Sequence, residues 1–375
     1  MIPYGKQNIN QKDIDSVLEV LKSDFLTQGP KVPLFERLVA EKVEADYAVA
    51  VNSATSALHI ACMALGLGQN DWLWTSPITF VASANCGLYC GAKVDFVDID
   101  RHTYNLCPKA LEGKLIKAEN EGRLPKVLVA VHLCGQPCDM KAIHELSKRF
   151  GFYVIEDASH AIGGKYRGEY IGNCRYWDIT VFSFHPVKII TTAEGGMALT
   201  NKGELAEQMD LYRSHGITRN PNLMTRAADG PWYYQQIALG FNYRMNELQA
   251  AIGICQVDRL NSFLDARKIN YDIISAGLAE VDELHQFSST GGDFQSSYYC
   301  KSVVLRKGFE NKRLEIINEL ANRGVGTSIY YPRPVPELTY YAQKYNITSG
   351  SFPEAAKIAY HSIALPVGPH LNAGD

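Results

Sequence analysis

Several features are scarce or missing in this chain. It has no long apolar run: stretches such as Val127–Leu133 are far too short to cross a bilayer. It has no excess of one charge. Lys and Arg number 37 against 40 Asp and Glu, a formal net charge of −3, so no basic nucleic-acid footprint is expected. It has no repeat and no low-complexity tract. The opening residues, MIPYGKQNINQKD, contain no apolar signal core, and the expectation is a cytoplasmic protein with neither membrane nor nucleic acid as partner. The nine cysteines are odd in number. Cys86/Cys90 and Cys134/Cys138 have C-x3-C spacing, a weak hint of metal, but most of the nine lie in apolar segments. They read as reduced thiols that ligate no metal.

What is present is ample core material. Hydrophobic residues make up 46% and charged residues 21%, which excludes disorder. The 375 residues correspond to about 2.5 domain-equivalents. Strand-like runs at Tyr47–Asn52, Trp72–Ser76, Lys93–Asp98, Val127–Leu133, Tyr153–Glu156, Ile179–Phe184 and Gly196–Thr200 alternate with helical periodicity. Helices are expected over Asn10–Lys22, Val32–Glu44, Ser53–Leu67, Thr79–Cys90 and Met140–Phe150, the last stopped by Gly151. Such alternation predicts an α/β fold with a mostly parallel sheet covered on both faces. Ser214–Tyr234 reads as a long functional loop. Met245–Leu264 reads as one amphipathic helix, and Tyr298–Val304, Lys312–Arg323 and Gly326–Tyr330 as strand, helix, strand. The division expected is a large α/β domain over 1–244 and a smaller α+β domain over 245–375.

Ligands of open α/β sheets gather at the carboxyl ends of strands. Three ends carry chemistry. One delivers Asp157 and His160, one delivers Ser183, His185 and Lys188, and one delivers Ser53, Ala54 and Thr55 at a helix start. An amine, a carboxylate and a helix N-terminus are what pyridoxal phosphate needs for its aldehyde, ring nitrogen and phosphate. Each element also has an ordinary reading. Asp157 serves as a helix cap, Ser53 as an N-cap, and a lone lysine as a surface charge. Lys188, however, lies among Phe182-Ser-Phe184 and Ile189-Ile-Thr-Thr-Ala. Apolar surroundings lower a lysine's pKa and make it nucleophilic. Glu194-Gly195-Gly196 follows as a tight turn that lets backbone approach closely.

Taken in order, SATSALHIA, EDASHAIG, FSFHPVKIITTAEGG and LGFNYRMNELQAAIG resemble the DegT/DnrJ/EryC1/StrS family of sugar aminotransferases. The resemblance runs from Ile2-Pro-Tyr to Leu365-Pro366 and is strongest to the branch acting in pseudaminic acid synthesis. That branch is indicated by Leu26–Pro30, Trp74–Phe80, Gly172–Arg175, Arg213–Gly216 and Gly230–Tyr234. The resemblance implies a fold-type I transferase, like aspartate aminotransferase, with pyridoxal 5'-phosphate as cofactor. It implies Lys188 as the Schiff-base lysine and Asp157 as the partner of the ring nitrogen. Ala54, Thr55 and Ser183, with Ser53 at the helix start, become the phosphate cradle, and Phe80 the ring that stacks on the cofactor. His160 stands near the ring hydroxyl, where many relatives carry Gln. Asn242 reaches the phosphate of a neighbouring subunit, accompanied by Tyr243 and Arg244, which implies a homodimer with shared sites. A structural ion pair is the alternative for Arg244.

Substrate contacts are expected from Tyr4, Thr27, His185, Tyr234, Arg244 and Tyr330. For Tyr330 and its neighbour Tyr331, packing beside the prolines is the alternative. The implied reaction moves the amino group of L-glutamate to C4 of a nucleotide-linked 4-keto-6-deoxy sugar, a UDP-2-acetamido-4-keto-6-deoxyhexose. The alternatives are a GDP-perosamine-type or bacillosamine-type substrate, or a non-catalytic relative that binds sugar nucleotides. Lys188 argues against the branch that carries His in its place. The cysteine spacing argues against an iron–sulfur cluster. Two departures stand out. Ala193 occupies a place often filled by Gly. The relatives run on past the Leu365-Pro366 stretch into a last helix, so a shortened small domain is expected.

Overall fold

The computed structural model describes residues 1–375 apart from 288, 289, 307, 348, 349, 373 and 375. Two of those exceptions fall in the chain end on which a shortened small domain was expected, so that expectation lies partly outside the described residues. Seven strands build the central sheet: β1 (Tyr47–Val51), β2 (Trp72–Thr75), β3 (Lys93–Phe96), β4 (Val127–Val131), β5 (Tyr153–Asp157), β6 (Ile179–Ser183) and β7 (Gly196–Thr200). Their spatial order is β1-β7-β6-β5-β4-β2-β3. From β6 to β3 every pairing is parallel, and β7 alone runs antiparallel to both its neighbours.

β4, β6 and β7 are buried along their whole length, as strands covered on both faces must be. Side chains alternate between two cores. Leu128 and Ala130 pack with Phe35, Phe182 and Phe184. Val127, Val129 and Val131 pack with Leu58, Ile60 and Val181 on the other side. A one-residue slip would exchange these faces, so the register is strongly fixed. Val51 pairs with Gly196, Gly196 with Ser183, and Asp157 with both Val131 and Val181. These pairings bring the carboxyl ends of β1, β5 and β6 to one edge of the sheet.

The helix starts and stops follow local chemistry. Asn10 and Asp13 form a capping box at the start of Gln11–Leu21. Gly151 closes Met140–Phe150 in the left-handed conformation, φ 74°. The helix Pro108–Asn120 has no counterpart in the sequence reading.

Two expectations are corrected. The single helix over Met245–Leu264 is two helices, Glu247–Asp258 and Leu260–Gly277, separated at Arg259. The first carries buried polar groups on the face that meets the N-terminal helices. Glu247 accepts the N–H groups of Lys31 (2.7 Å) and Val32 (3.2 Å). It thereby caps the helix Lys31–Val43, which has no side-chain cap of its own. Gln256 donates to Asp13. Gly326–Tyr330 is not a strand. The C-terminal sheet consists of Leu284–Gln286, Lys301–Leu305 and Ser362–Leu365, all antiparallel. Ser328 makes one isolated bridge to Ala364 and Val325 one to Ile2, after which the chain turns toward the sheet edge described above. Among the described residues no helix is long and apolar enough to cross a membrane.

Candidate active site

A cavity of about 450 Å³ opens at the aligned strand ends. Ten of the residues singled out in the sequence line it: Ser53, Ala54, Thr55, Phe80, Asp157, His160, Ser183, His185, Lys188 and Tyr330. Each is delivered by a local device. Ser53 caps the helix Ala54–Ala64, its Oγ accepting the N–H of Ser56 at 3.2 Å. Among the described residues the N–H groups of Ala54 and Thr55, too early in the helix for intrahelical partners, have no protein acceptor. Gly196 lies against this start so closely that a Cβ there would sit 2.4 Å from the Ala54 nitrogen. A glycine is therefore required where β7 begins.

Asp157, the last residue of β5, is buried. One carboxylate oxygen accepts the hydroxyl of Ser83 at 2.6 Å. The other accepts the hydroxyl of Ser159 at 2.6 Å and its N–H at 3.2 Å. Ser83 is in turn paired with Thr79 at 2.8 Å. Just before it, Glu156 is fully buried. It accepts from His132 (2.7 Å), Trp177 (2.8 Å) and Thr180 (2.5 Å). Because His132 Nδ1 accepts the Cys138 N–H, it is Nε2–H that donates to Glu156.

Lys188 sits on the loop between β6 and β7. The loop is pinned shut by Phe184 N–H to Gly195 O and Thr192 N–H to Phe184 O, both 2.9 Å. Ile189 and Ile190 beside it are buried, as the apolar flanks predicted. Burial pushes the amine down to about 8, against the upward pull of the Asp157 charge. His160 is buried and stacked on Tyr299, with ring centroids 4.1 Å apart and planes 6° from parallel. Burial, with the nearby Lys188 charge, holds its imidazole well below the ordinary value. The ring is therefore neutral. Its Nδ1, buried, has no hydrogen-bond partner among the described residues. His185 and Glu194 stand 3.9 Å apart, both exposed.

The remaining candidates lie outside this wall. Tyr4 packs on Tyr330, 5.9 Å between centroids, without lining the cavity. Asn242 and Arg244 continue the sheet edge beyond β1. Asn242 bridges to Ser214 and Arg244 to Val51, and Asn52 donates to the Tyr243 carbonyl at 2.8 Å. Thr27 and Tyr234 are exposed, and within one chain the four, Thr27, Tyr234, Asn242 and Arg244, do not meet the cavity. Sequence reasoning missed Thr79, Ser83, Ser159 and Tyr299. Ser159 had a signal, since a serine two residues after a strand-end aspartate suits a local turn. The others are brought in from distant segments and had none.

These residues fit pyridoxal phosphate. The free N–H groups at Ala54 and Thr55 with no side chain at Gly196 make an anion cradle. The orphaned His160 nitrogen awaits a polar partner. A depressed amine and an aspartate held by two hydroxyls face the same space.

Comparison with known proteins agrees. The model of the DegT/DnrJ/EryC1/StrS aminotransferase family matches residues 7–375. The UDP-4-amino-4,6-dideoxy-N-acetyl-beta-L-altrosamine transaminase of Campylobacter jejuni is 38% identical, covering 91% of this chain and 86% of its own. The GDP-perosamine synthase of Escherichia coli O157:H7 is 32% identical, covering 99% and 94%. Among solved structures, Helicobacter pylori PseC, an aminotransferase involved in the biosynthesis of pseudoaminic acid, superposes with a TM-score of 0.89 at 29% identity, covering 100% and 95%. Streptococcus pneumoniae Spr1654 in its PLP form superposes with a TM-score of 0.89 at 27% identity, covering 100% and 95%. The cavity, its amine and its anion cradle thus agree with the fold and the motifs: the chain belongs to the DegT/DnrJ/EryC1/StrS aminotransferase family, and its cofactor is pyridoxal phosphate.

Proposed function

We propose that this aminotransferase moves the amino group of L-glutamate to C4 of a UDP-linked 2-acetamido-4-keto-6-deoxyhexose, the pseudaminic type of substrate. The observation that carries the reaction class is the meeting of Lys188, Asp157 and the Ala54 helix start in one cavity. When bound, pyridoxal phosphate would supply an electron sink for the electron pair left behind when a proton leaves the carbon next to the transferred nitrogen. Lys188 holds and returns that proton at Nζ. With its amine pushed down to about 8, both protonation states are accessible near neutrality, as a shuttle requires. Asp157, fixed by Ser83 and Ser159, stays an acceptor and would keep a proton on the cofactor's ring nitrogen. Ala54, Thr55 and Ser183 would hold the phosphate. Phe80 would cover the ring face, and neutral His160 would meet the ring hydroxyl.

The substrate is read from two relatives. Campylobacter jejuni's transaminase is named for a UDP amino sugar, and Helicobacter pylori PseC is described as acting in pseudoaminic acid biosynthesis. A GDP-perosamine-type substrate is the second reading, favoured by the Escherichia coli relative. Tyr4, Tyr330 and His185, with Thr27, Tyr234 and Arg244, would choose between them, the last three acting across a homodimer. A comparison of kcat/KM for UDP-, dTDP- and GDP-linked 4-keto-6-deoxy sugars, with L-glutamate as donor, tests the reading. The UDP sugar is expected to lead. A preference for the GDP sugar above about tenfold, roughly 1.4 kcal/mol, replaces the first reading by the second.

A further inference from the structure

Tyr299 belongs to none of the motifs above, yet it touches both the amine and the imidazole of the site. Its ring is parallel to that of His160 at 4.1 Å. Lys188 Nζ lies 5.2 Å from the ring centroid. Its hydroxyl is paired with that of Tyr330 at 2.9 Å. The ring is also held from behind. Buried Arg267 donates to the Tyr298 and Tyr299 carbonyls at 3.4 and 3.0 Å. Ser297, two residues earlier, donates its N–H to Gly135 O at 3.1 Å and its hydroxyl to His160 O at 2.6 Å. The same short segment therefore fixes both the backbone of His160 and the surface on which its ring lies.

We propose that Tyr299 is a positioning residue of the aminotransferase site: its ring sets the plane of His160 and gives the Lys188 amine a resting place as a cation whenever it is not bonded to the cofactor. The proposal rests on the reading of Lys188 as the cofactor lysine.

The physical case is the ring quadrupole. A cation near the face of an aromatic ring in a desolvated site is attracted, and a neutral amine is not. The ring thus favours the protonated form of Lys188 and opposes burial, which favours the neutral one. The other groups around the amine are Asp157, whose charge pulls its titration upward, the thiols of Cys134 and Cys300, and His160, which is neutral. None of these groups is removed by changing the Tyr299 side chain. Stacking matters for His160 as well. A ring kept in one plane presents Nδ1 in one direction, and that nitrogen has no partner among the described residues to orient it.

The test uses the full chain without cofactor. Acetylation of Lys188 by acetic anhydride is followed across pH by mass spectrometry of its peptide, with an exposed lysine as internal reference. The wild-type midpoint is expected near 8. Tyr299→Phe keeps the ring face and is expected to titrate with wild type. Tyr299→Leu keeps bulk without the face and is expected to titrate about one pH unit lower. A purely packing role predicts equal midpoints for the two variants. A Leu midpoint at or above wild type overturns the proposal. Should the Leu variant fail to fold, the Phe variant still decides. A midpoint about a unit low in Tyr299→Phe would assign the effect to the hydroxyl and overturn the role of the ring face. Borohydride reduction of the cofactor-loaded wild type, with mapping of the modified peptide, tests the underlying reading separately. Modification away from Lys188 overturns that reading. Modification at Lys188 together with an unshifted Leu variant overturns only the role of Tyr299.

Discussion

The active-site cavity, the inner end of this region, and the sheet edge beyond it, the outer end, are built differently. At the inner end the walls are strand ends and the loops they launch: Ser53 after β1, Asp157 at the end of β5, Ser183 at the end of β6. Their relative heights are set by hydrogen-bonded register, Val51 with Gly196 and Gly196 with Ser183. Phe182 and Phe184 on either side of Ser183 are fully buried, so none of these positions can shift without disturbing the core. At the outer end, Asn242 and Arg244 hang on isolated bridges. The neighbouring segment leaves Trp232 72% and Leu239 76% exposed. The contrast is one of support. Strand ends in continuous ladder register line the cavity, whereas the segments beyond it have few ladder bonds.

The comparison can be broken at four points, from the largest effect to the smallest. Lys188→Ala should lower turnover by about 10⁴-fold or more, since the nucleophile and the proton shuttle vanish together, while circular dichroism and cofactor affinity show a folded protein. Substantial residual turnover would mean that the inner end is not where the chemistry occurs. Asp157→Asn keeps the shape and, with its amide oxygen toward Ser159, that contact, but it turns a donor toward Ser83 and loses the charge. The half-reaction with L-glutamate, followed by stopped-flow absorbance, should slow about a hundredfold or more. An unchanged rate would reduce Asp157 to a turn-forming role.

Mixing Lys188→Ala with Asn242→Ala chains probes the outer end. If Asn242 serves the neighbouring subunit, each mixed dimer has one intact site, and an equal mixture should regain about a quarter of wild-type activity. Absence of recovery, with subunit exchange confirmed by native mass spectrometry, would place Asn242 in the site of its own chain. The smallest effect is at Ala193, whose φ of 65° lies in the left-handed region. Ala193→Gly should relieve that strain and stabilise the protein by about 1 kcal/mol or less in urea unfolding. A loss of stability would show that the turn gains more from a stiff residue than it loses to strain.

How much of this could be read in advance varies from residue to residue. β1 to β7 were legible because continuous apolar runs such as Val127–Val131 are what a doubly covered strand requires. Met140–Phe150 was legible at both ends, its stop written in Gly151. The helix break at Arg259 was not, because the polar residues that seemed to face solvent are buried. Glu247 caps a helix more than two hundred residues earlier in the chain, a fact with no local signature. Gly326–Tyr330 looked like a strand because its composition suits one. Strand formation needs a ladder of partners, however, and among the described residues this stretch makes one isolated bridge, at Ser328.

The sequence by itself determined the alternation of elements, the strand ends that carry Asp157, Ser183 and Lys188, and the glycine turn after them, because period, capping and turn chemistry act over a few residues. Tertiary structure alone decided which side chains surround those groups. Ser83 reaches Asp157 from 74 positions away in the chain, and Tyr299 reaches Lys188 and His160 from the C-terminal part. Such contacts are set by packing two cores around one sheet. Hydrophobic burial is non-directional, so composition states that a residue will be buried while only the packed fold states beside what.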